Sequence, residues 1–130
     1  MKDDQKGTIH PLTLLADEAY SVFSSLGFEI TNAPELETEW YNFDALNVPK
    51  DHPARDMQDT FYIKNKPEHV LRTHATNTTA RVLERVAKEG FKEFASISIG
   101  KVFRNEATDA THEMQFFQID GCVIGENINL

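Results

Sequence analysis

Along residues 11–26 the apolar positions fall at Leu12, Leu15, Ala16, Ala19, Val22, Phe23 and Leu26, the three- and four-residue spacing of one helical face. Pro11 suits a first turn, where no backbone N–H is needed, and Gly27 suits a left-handed stop. An amphipathic helix is predicted. The next residues, Phe28-Glu29-Ile30-Thr31, alternate and run into Asn32-Ala33-Pro34, a short strand ended by a residue that cannot donate to a ladder. Over residues 40–59, prolines, asparagines and charges interrupt every period, which predicts a long ordered loop. Residues 60–63 and 70–73 are strand-like and flank the turn-forming Lys64-Asn65-Lys66-Pro67, so a hairpin is expected. A second helix should start with Thr76 or Asn77 as N-cap, bury Ala80, Leu83, Val86 and Ala87, and stop at Gly90. Strands follow at 94–99, 101–105 and 114–124, with turns at Gly100 and around 108–111 making a meander. Runs of strands with helices outside them predict an α+β fold built on an antiparallel sheet with flanking helices.

Composition narrows the class. With 130 residues and 40% hydrophobic content, one core is the default. The apolar runs, such as Val102-Phe103, are far shorter than the ~20 residues that cross a bilayer. The start Met1-Lys2-Asp3-Asp4 lacks an apolar signal core, so a soluble, cytoplasmic protein with no membrane partner is expected. Residues 1–7 read as a frayed end or linker stub. Cys122 has no cysteine to pair with and sits in the apolar run Gly121-Cys122-Val123-Ile124, as a small packed side chain in a reducing compartment would. The net charge of −8 argues against a surface that grips a phosphate backbone through clustered Lys and Arg. Any RNA partner must be held mainly elsewhere.

The chemistry concentrates near the C-terminal end. Val102-Phe103-Arg104-Asn105-Glu106 leads into a polar loop and returns through His112, Phe116, Gln118 and Asp120. Side chains alternate along a strand, so these four share one face, and a hairpin brings Arg104 and Glu106 opposite them. An imidazole, a ring, an amide, two carboxylates and a guanidinium converging in this way exceed what packing requires.

These residues carry a resemblance. Phe103-Arg104-x-Glu106 followed by His112-x-x-x-Phe116 resembles motif 2 of class II aminoacyl-tRNA synthetases, and Asp109-Ala110-Thr111-His112-Glu113 with Phe116-x-Gln118-x-Asp120-Gly121 is similar to its phenylalanine-specific form. Leu26-Gly27-Phe28 through Pro34 resembles motif 1. Trp40-Tyr41-Asn42-Phe43-Asp44-Ala45-Leu46, His52-Pro53-Ala54-Arg55-Asp56 and Leu71-Arg72-Thr73-His74 look like segments of phenylalanyl-tRNA synthetase α subunits. The ordered match implies that residues 8–130 are the N-terminal part of a class II synthetase catalytic domain, an incomplete one. It implies activation of phenylalanine by ATP to the adenylate and transfer to tRNA(Phe), mainly through tRNA contacts outside this chain.

By family pattern, Arg104 would be catalytic and contact the α-phosphate, His112 would meet the outer phosphates, Phe116 would stack beneath adenine and Glu106 would anchor the nucleotide. Gln118 and Asp120 would hold the substrate ammonium, with His74 and Thr76 orienting the amino acid. Magnesium would arrive with ATP, its protein ligands lying beyond this chain, and the motif 1 unit would meet a β subunit. Two positions depart from the pattern: Asp120 stands where the family usually has Glu, about one methylene shorter, and Thr79 where bacterial members often have Gln. Alone, the chain is expected to show little ligase activity.

Blander roles compete for each residue. Arg104 serves equally as a surface ion-pair residue, Phe116 as core, Glu106 and Asp120 as solvated edge charges, and Thr76 as an ordinary helix cap. Arg55 could simply brace its loop through a carboxylate, or the loop could flank the substrate mouth. A zinc site from His69, His74, His112 and Cys122 is disfavoured, because no pair has ligand spacing. Two rival functions stand beside ligation: an adenylating paralogue that acts without tRNA, and a non-catalytic protein-interaction module.

Overall fold

The computed structural model describes residues 7–105 and 112–129. Helix α1 spans Pro11–Ser25. It opens with His10, whose Nδ1 accepts from the Leu12 N–H at 3.1 Å. It closes at Gly27, where φ is +88°, with the Gly27 N–H bonded to Ser24 O and the Phe28 N–H to Phe23 O, both at 3.0 Å. That pair of bonds is a Schellman ending, and the Phe23 and Phe28 rings meet edge to face at 5.1 Å across it. The stop comes where Gly27 predicts it. The apolar stripe, however, is not core: α1 buries no residue, and Leu26 is 66% exposed.

Strand β1, Glu29–Ile30, runs parallel to β4, Phe94–Phe103, pairing Glu29 with Ser96 and Ile30 with Ile97. Strand β5, Gln115–Ile124, runs antiparallel to β4 from Phe94↔Ile124 to Phe103↔Gln115. The sheet order is β1-β4-β5, so the expected antiparallel sheet gains a parallel edge. The turn expected at Gly100 does not form, because β4 passes straight through it, opposite Gln118. The glycine answers a steric demand instead. A Cβ there would lie 2.0 Å from Arg72 Nη2.

A second, two-stranded ribbon joins β2, Leu36–Thr38, to β3, His69–Leu71. The hairpin expected between residues 60–63 and 70–73 is reduced to a bridge between Tyr62 and Val70. Its side chains are spent on the preceding loop: Thr60 Oγ1 donates to Ala54 O and the Tyr62 hydroxyl to Arg55 O, each at 2.7 Å. That loop is more regular than expected, with a helical turn α2 at Glu39–Asn42 and 3-10 turns at Asp44–Leu46 and Pro53–Arg55. Arg55 braces it, pairing with Asp44 at 2.7 Å and lying 4.7 Å over the Phe43 ring.

Arg72 ties the ribbon to the sheet. Its side chain is 3% exposed and donates to Lys101 O at 2.7 Å and Ala33 O at 3.1 Å. Its own carbonyl accepts from the Phe103 N–H at 2.9 Å. Burial lowers its pKa from the ordinary arginine value, opposed by Glu35 and Glu37 nearby.

Helix α3, Thr76–Glu89, ends at Gly90 with φ +74°. It buries Asn77, Thr78, Ala80, Val82 and Val86, whereas Leu83 is 44% exposed and Ala87 is exposed. The face is rotated from the predicted one because a carboxylate fixes it. Glu37, on β2 and 1% exposed, accepts from Asn77 Nδ2 at 2.8 Å, from Arg81 Nε at 2.8 Å and Nη2 at 2.7 Å, and from the Thr38 N–H at 2.8 Å. Burial pushes the Glu37 carboxyl up, but those bonds outweigh it and hold the pKa below the usual carboxylate value.

Two stability effects follow. Glu37→Gln should cost about 3 kcal/mol in urea unfolding at pH 7, the loss for breaking a buried pair. Because the folded-state pKa is depressed, this contribution is complete above the ordinary carboxylate pKa and is lost as pH falls through the folded value. The two proteins should therefore converge in acid, and a gap that stays constant to pH 3 would refute the assignment. Gly100→Ala should displace the Arg72 guanidinium and cost about 1–3 kcal/mol; unchanged unfolding would mean that Arg72 can move aside freely.

Candidate active site

The face of β5 that carries even-numbered residues turns toward α3. Phe116, Gln118, Asp120 and Cys122 are half-buried there, while the odd-numbered Phe117, Ile119 and Val123 are exposed. The alternation expected of the returning strand is thus present, and the start of α3 meets it. The Ala75 N–H donates to Gln118 Oε1 at 2.9 Å. Thr76 Oγ1 donates to Asp120 Oδ1 at 3.3 Å, and Thr79 Oγ1 donates to Asp120 Oδ2. Neither Thr76 nor Asn77 caps the helix: the N-cap is Ala75, without a side-chain bond. Thr76 is drawn off to Asp120 and Asn77 to Glu37.

Arg104 follows β4, its backbone N–H bonded to Met114 O at 2.9 Å where the hairpin narrows. Its guanidinium lies 5.0 Å over the Phe116 ring, and Nε reaches Thr73 O at 3.4 Å. Ala54, Asp59, Thr73, His74 and Arg104 line a hollow of about 330 Å³. That volume suits a small ligand. A larger hollow of about 520 Å³, between Gly27, Glu93, Phe94 and Ile128 at the far end of the sheet, contains none of the expected site residues. Asn105 ties the hairpin to the loop before it, with its N–H on Asp59 O at 3.0 Å and Nδ2 on Met57 O at 2.8 Å.

His74 Nε2 lies 2.8 Å from Asn42 O. A carbonyl only accepts, so Nε2 carries the proton and Nδ1 is an acceptor, buried and without a hydrogen-bond partner among the described residues. Burial lowers the His74 pKa, partly offset by the bond to Asn42 and by Asp120. Asn42, fully buried, is itself pinned by a bond from its Nδ2 to Thr73 Oγ1 at 3.0 Å and one from the Thr73 N–H to its Oδ1 at 3.1 Å. Sequence reasoning did not single out Asn42 as a site residue; its only signal is a polar side chain between aromatics in Trp40-Tyr41-Asn42-Phe43.

The structure therefore brings together His74, Thr76, Arg104, Phe116, Gln118 and Asp120. His112 is exposed at the returning end of the hairpin, and Glu106 lies outside the described residues. In the 52–59 loop Arg55 pairs with Asp44, as expected of a braced loop, and Ala54 and Asp59 line the hollow beside Arg104. Among the described residues no group of three or more His, Cys, Asp or Glu side chains is placed to hold a metal ion. Among them, too, no helix is long and apolar enough to cross a membrane.

A mixed sheet whose hairpin carries an arginine stacked on a phenylalanine, backed by a helix that clasps a strand carboxylate, agrees with the expectation of a class II synthetase core. The chain belongs to that family: the model for the tRNA synthetases class II core domain (F) matches residues 1–130. Within it, the chain is 52% identical over 124 residues to a phenylalanine–tRNA ligase alpha subunit of Lysinibacillus sphaericus, covering 95% of this chain and 34% of the relative. It is 51% identical over 124 residues, with the same coverages, to that of Staphylococcus carnosus. The corresponding subunit of Mycoplasma capricolum is 48% identical over 125 residues, covering 95% of this chain and 35% of the relative. The chain spans about a third of the length of the curated relatives it matches. The pyrrolysyl-tRNA synthetase of Desulfitobacterium hafniense superposes with a TM-score of 0.70 at 18% identity, over 84% of this chain and 37% of the other, a likeness of fold. The family resemblance read from the sequence is borne out.

His74 should titrate below 6.5, the ordinary histidine value, and carry its proton on Nε2 at pH 7. Nitrogen-15 NMR of the imidazole reads both, and an Nδ1–H tautomer or a titration at or above 6.5 would contradict the geometry.

Proposed function

We propose that residues 8–130 form the N-terminal part of the catalytic domain of a phenylalanine–tRNA ligase α subunit, which activates phenylalanine with ATP and passes it to tRNA(Phe). The observation that carries this reading is the meeting of Arg104 and Phe116 with Gln118, Asp120, His74 and Thr76 on one face of the hairpin. The similarity to phenylalanine–tRNA ligase alpha subunits supports the choice of amino acid. The partners are ATP, phenylalanine, tRNA(Phe) held mainly through other regions, and a β subunit that covers the exposed apolar side of α1. The compartment is the cytoplasm.

In the first step a carboxylate oxygen of phenylalanine attacks the α-phosphorus of ATP, the bond to the β-phosphate oxygen breaks, and pyrophosphate leaves. Negative charge builds on the α-phosphate oxygens. Arg104 is suited to meet it, since its guanidinium is always ionised, offers paired donors, and among the described residues is held only by a ring face and a long bond to Thr73 O. Moving to the phosphate uncovers Phe116, whose flat face then receives adenine. His112 and Glu106 complete the nucleotide contacts. Asp120 and the unpartnered Nδ1 of neutral His74 accept from the substrate ammonium, while Thr76 and Gln118 fix its orientation.

The test is phenylalanine-dependent ATP–pyrophosphate exchange by the whole ligase. Arg104→Ala should lower kcat on the order of 10²-fold or more, the loss typical of removing a preorganised transition-state donor, while this chain alone should exchange weakly or not at all. If Arg104→Ala changes neither rate nor ATP binding, the non-catalytic interaction module becomes the better account. If another carboxylic acid supports exchange and phenylalanine does not, the paralogue reading prevails.

A further inference from the structure

Asp120 is held from two sides by one helix. Thr76 and Thr79 stand one turn apart on α3, on the face that meets β5, and each hydroxyl donates to a different oxygen of the carboxylate. A carboxylate has about four lone-pair sites, so two bonds fix its plane and leave acceptor capacity on each oxygen. Among the described residues no cation pairs with it. The ion pairs among the described residues are Arg55–Asp44, Arg81–Glu37, Arg85–Glu29 and Lys88–Glu84, and none includes Asp120. A half-buried carboxylate oriented by hydroxyls but given no cation is built to receive one.

We infer that Thr79 is a positioning residue of the amino-acid site, locking the Asp120 carboxylate in the one orientation in which it accepts the substrate's α-ammonium. This rests on the reading of Asp120 as the ammonium acceptor. Asp has only two side-chain torsions and a short reach, so its direction is set by what grips it. Thr76 supplies one grip, at the long distance of 3.3 Å. Thr79 supplies the closer one. A threonine hydroxyl within a helix usually turns back to a carbonyl three or four residues earlier; the Thr79 hydroxyl reaches across to β5 instead. The grip comes from the body of α3, and α3 is in turn fixed by Glu37 through Asn77 and Arg81. Recognition of the ammonium is thereby coupled to the placement of the whole helix.

The experiment is steady-state pyrophosphate exchange by the ligase expressed from its complete reading frame with its partner subunit. Thr79→Val keeps the shape and removes the hydroxyl. It should raise KM for phenylalanine about tenfold, the equivalent of ~1.4 kcal/mol, with kcat and KM for ATP changed less than about threefold. Thr79→Ser should restore the wild-type KM. Competitive inhibition by 3-phenylpropionate, which has no hydrogen-bond donor in place of the ammonium, should be the same for wild type and Thr79→Val. Asp120→Asn separates the two levels of the argument. If it leaves KM for phenylalanine unchanged, Asp120 is not the ammonium acceptor and the inference falls with that reading. If it raises KM but Thr79→Val does not, or if Thr79→Val weakens 3-phenylpropionate equally, the ammonium reading stands and the positioning role of Thr79 is wrong. A melting temperature of Thr79→Val matching that of Thr79→Ser excludes a folding defect as the cause.

Discussion

A charge cannot be buried without a full set of partners, and in this chain the burial of Glu37 dictates where α3 must lie. Its carboxylate takes four donors from three residues, and two of those residues, Asn77 and Arg81, are one turn apart on α3. Removing any of them leaves an uncompensated charge, which costs more than a missing surface contact. The helix is thus fixed in rotation and in register against β2. Since Thr76 and Thr79 share its first turns, the same constraint sets the hydroxyls over Asp120. Arg81 also lies 4.0 Å over the Tyr41 ring, and Tyr41 directly precedes the Asn42 that orients His74. One ion pair, with its carboxylate buried, therefore braces both Asp120 and His74, the two sides of the proposed amino-acid site.

Arg72 does for the sheet what Glu37 does for the helix, with different chemistry. Its side chain is bonded to backbone carbonyls and to no carboxylate, joining Ala33 after β1 to Lys101 in β4. Because carbonyls sit at fixed places in the backbone, this tie sets the position of β3 relative to the hairpin. It also places Thr73 and His74, which follow Arg72 directly, beside Arg104. The smooth surface of Gly100 is the condition for it.

Much of this could be read from the sequence where the signal was local. Pro11, Gly27 and Gly90 mark helix ends by backbone geometry alone, and the alternation of Phe116, Gln118 and Asp120 gives their shared face directly. Nonlocal causes were hidden. Gly100 looked like a turn because nothing nearby in sequence shows that an arginine 28 residues earlier, at 72, passes over it. Strand β2 was invisible because Glu35-Leu36-Glu37-Thr38-Glu39 looks like a solvated run, although its central glutamate is buried. The inward face of α3 was misjudged at Leu83 for the same reason: polar Asn77 and Thr78 are buried, so hydrophobic period alone points the wrong way. His74 and Thr76 entered the site only through the family resemblance, and Asn42 not at all, since its role is to present a backbone carbonyl, which any residue type possesses.

The arginines differ in how firmly each is held, and that difference bears on which can act. Arg72 and Arg55 are buried among oxygens, Arg81 is forked onto Glu37, and Arg85 is paired with Glu29 at 2.8 Å. Arg104 lies over a ring at 5.0 Å, as Arg55, Arg81 and Arg85 do over theirs, but among the described residues it pairs with no carboxylate and its side chain bonds only a carbonyl at 3.4 Å, the long limit of a hydrogen bond. A cation over an aromatic ring is attracted by about 0.5–2 kcal/mol, less than a charge-assisted, bidentate contact to a phosphate provides. The ring thus holds the guanidinium near the hollow weakly enough for an anion to draw it off. The sheet keeps Arg104 at the site through its backbone, by the bond from its N–H to Met114 O, and leaves the charged end the least restrained of the arginines. Under the proposed function, rigidity in α3 and looseness at Arg104 would suit two different ligands: a small ammonium met by a fixed acceptor, and a phosphate whose charge grows as the bond to it forms.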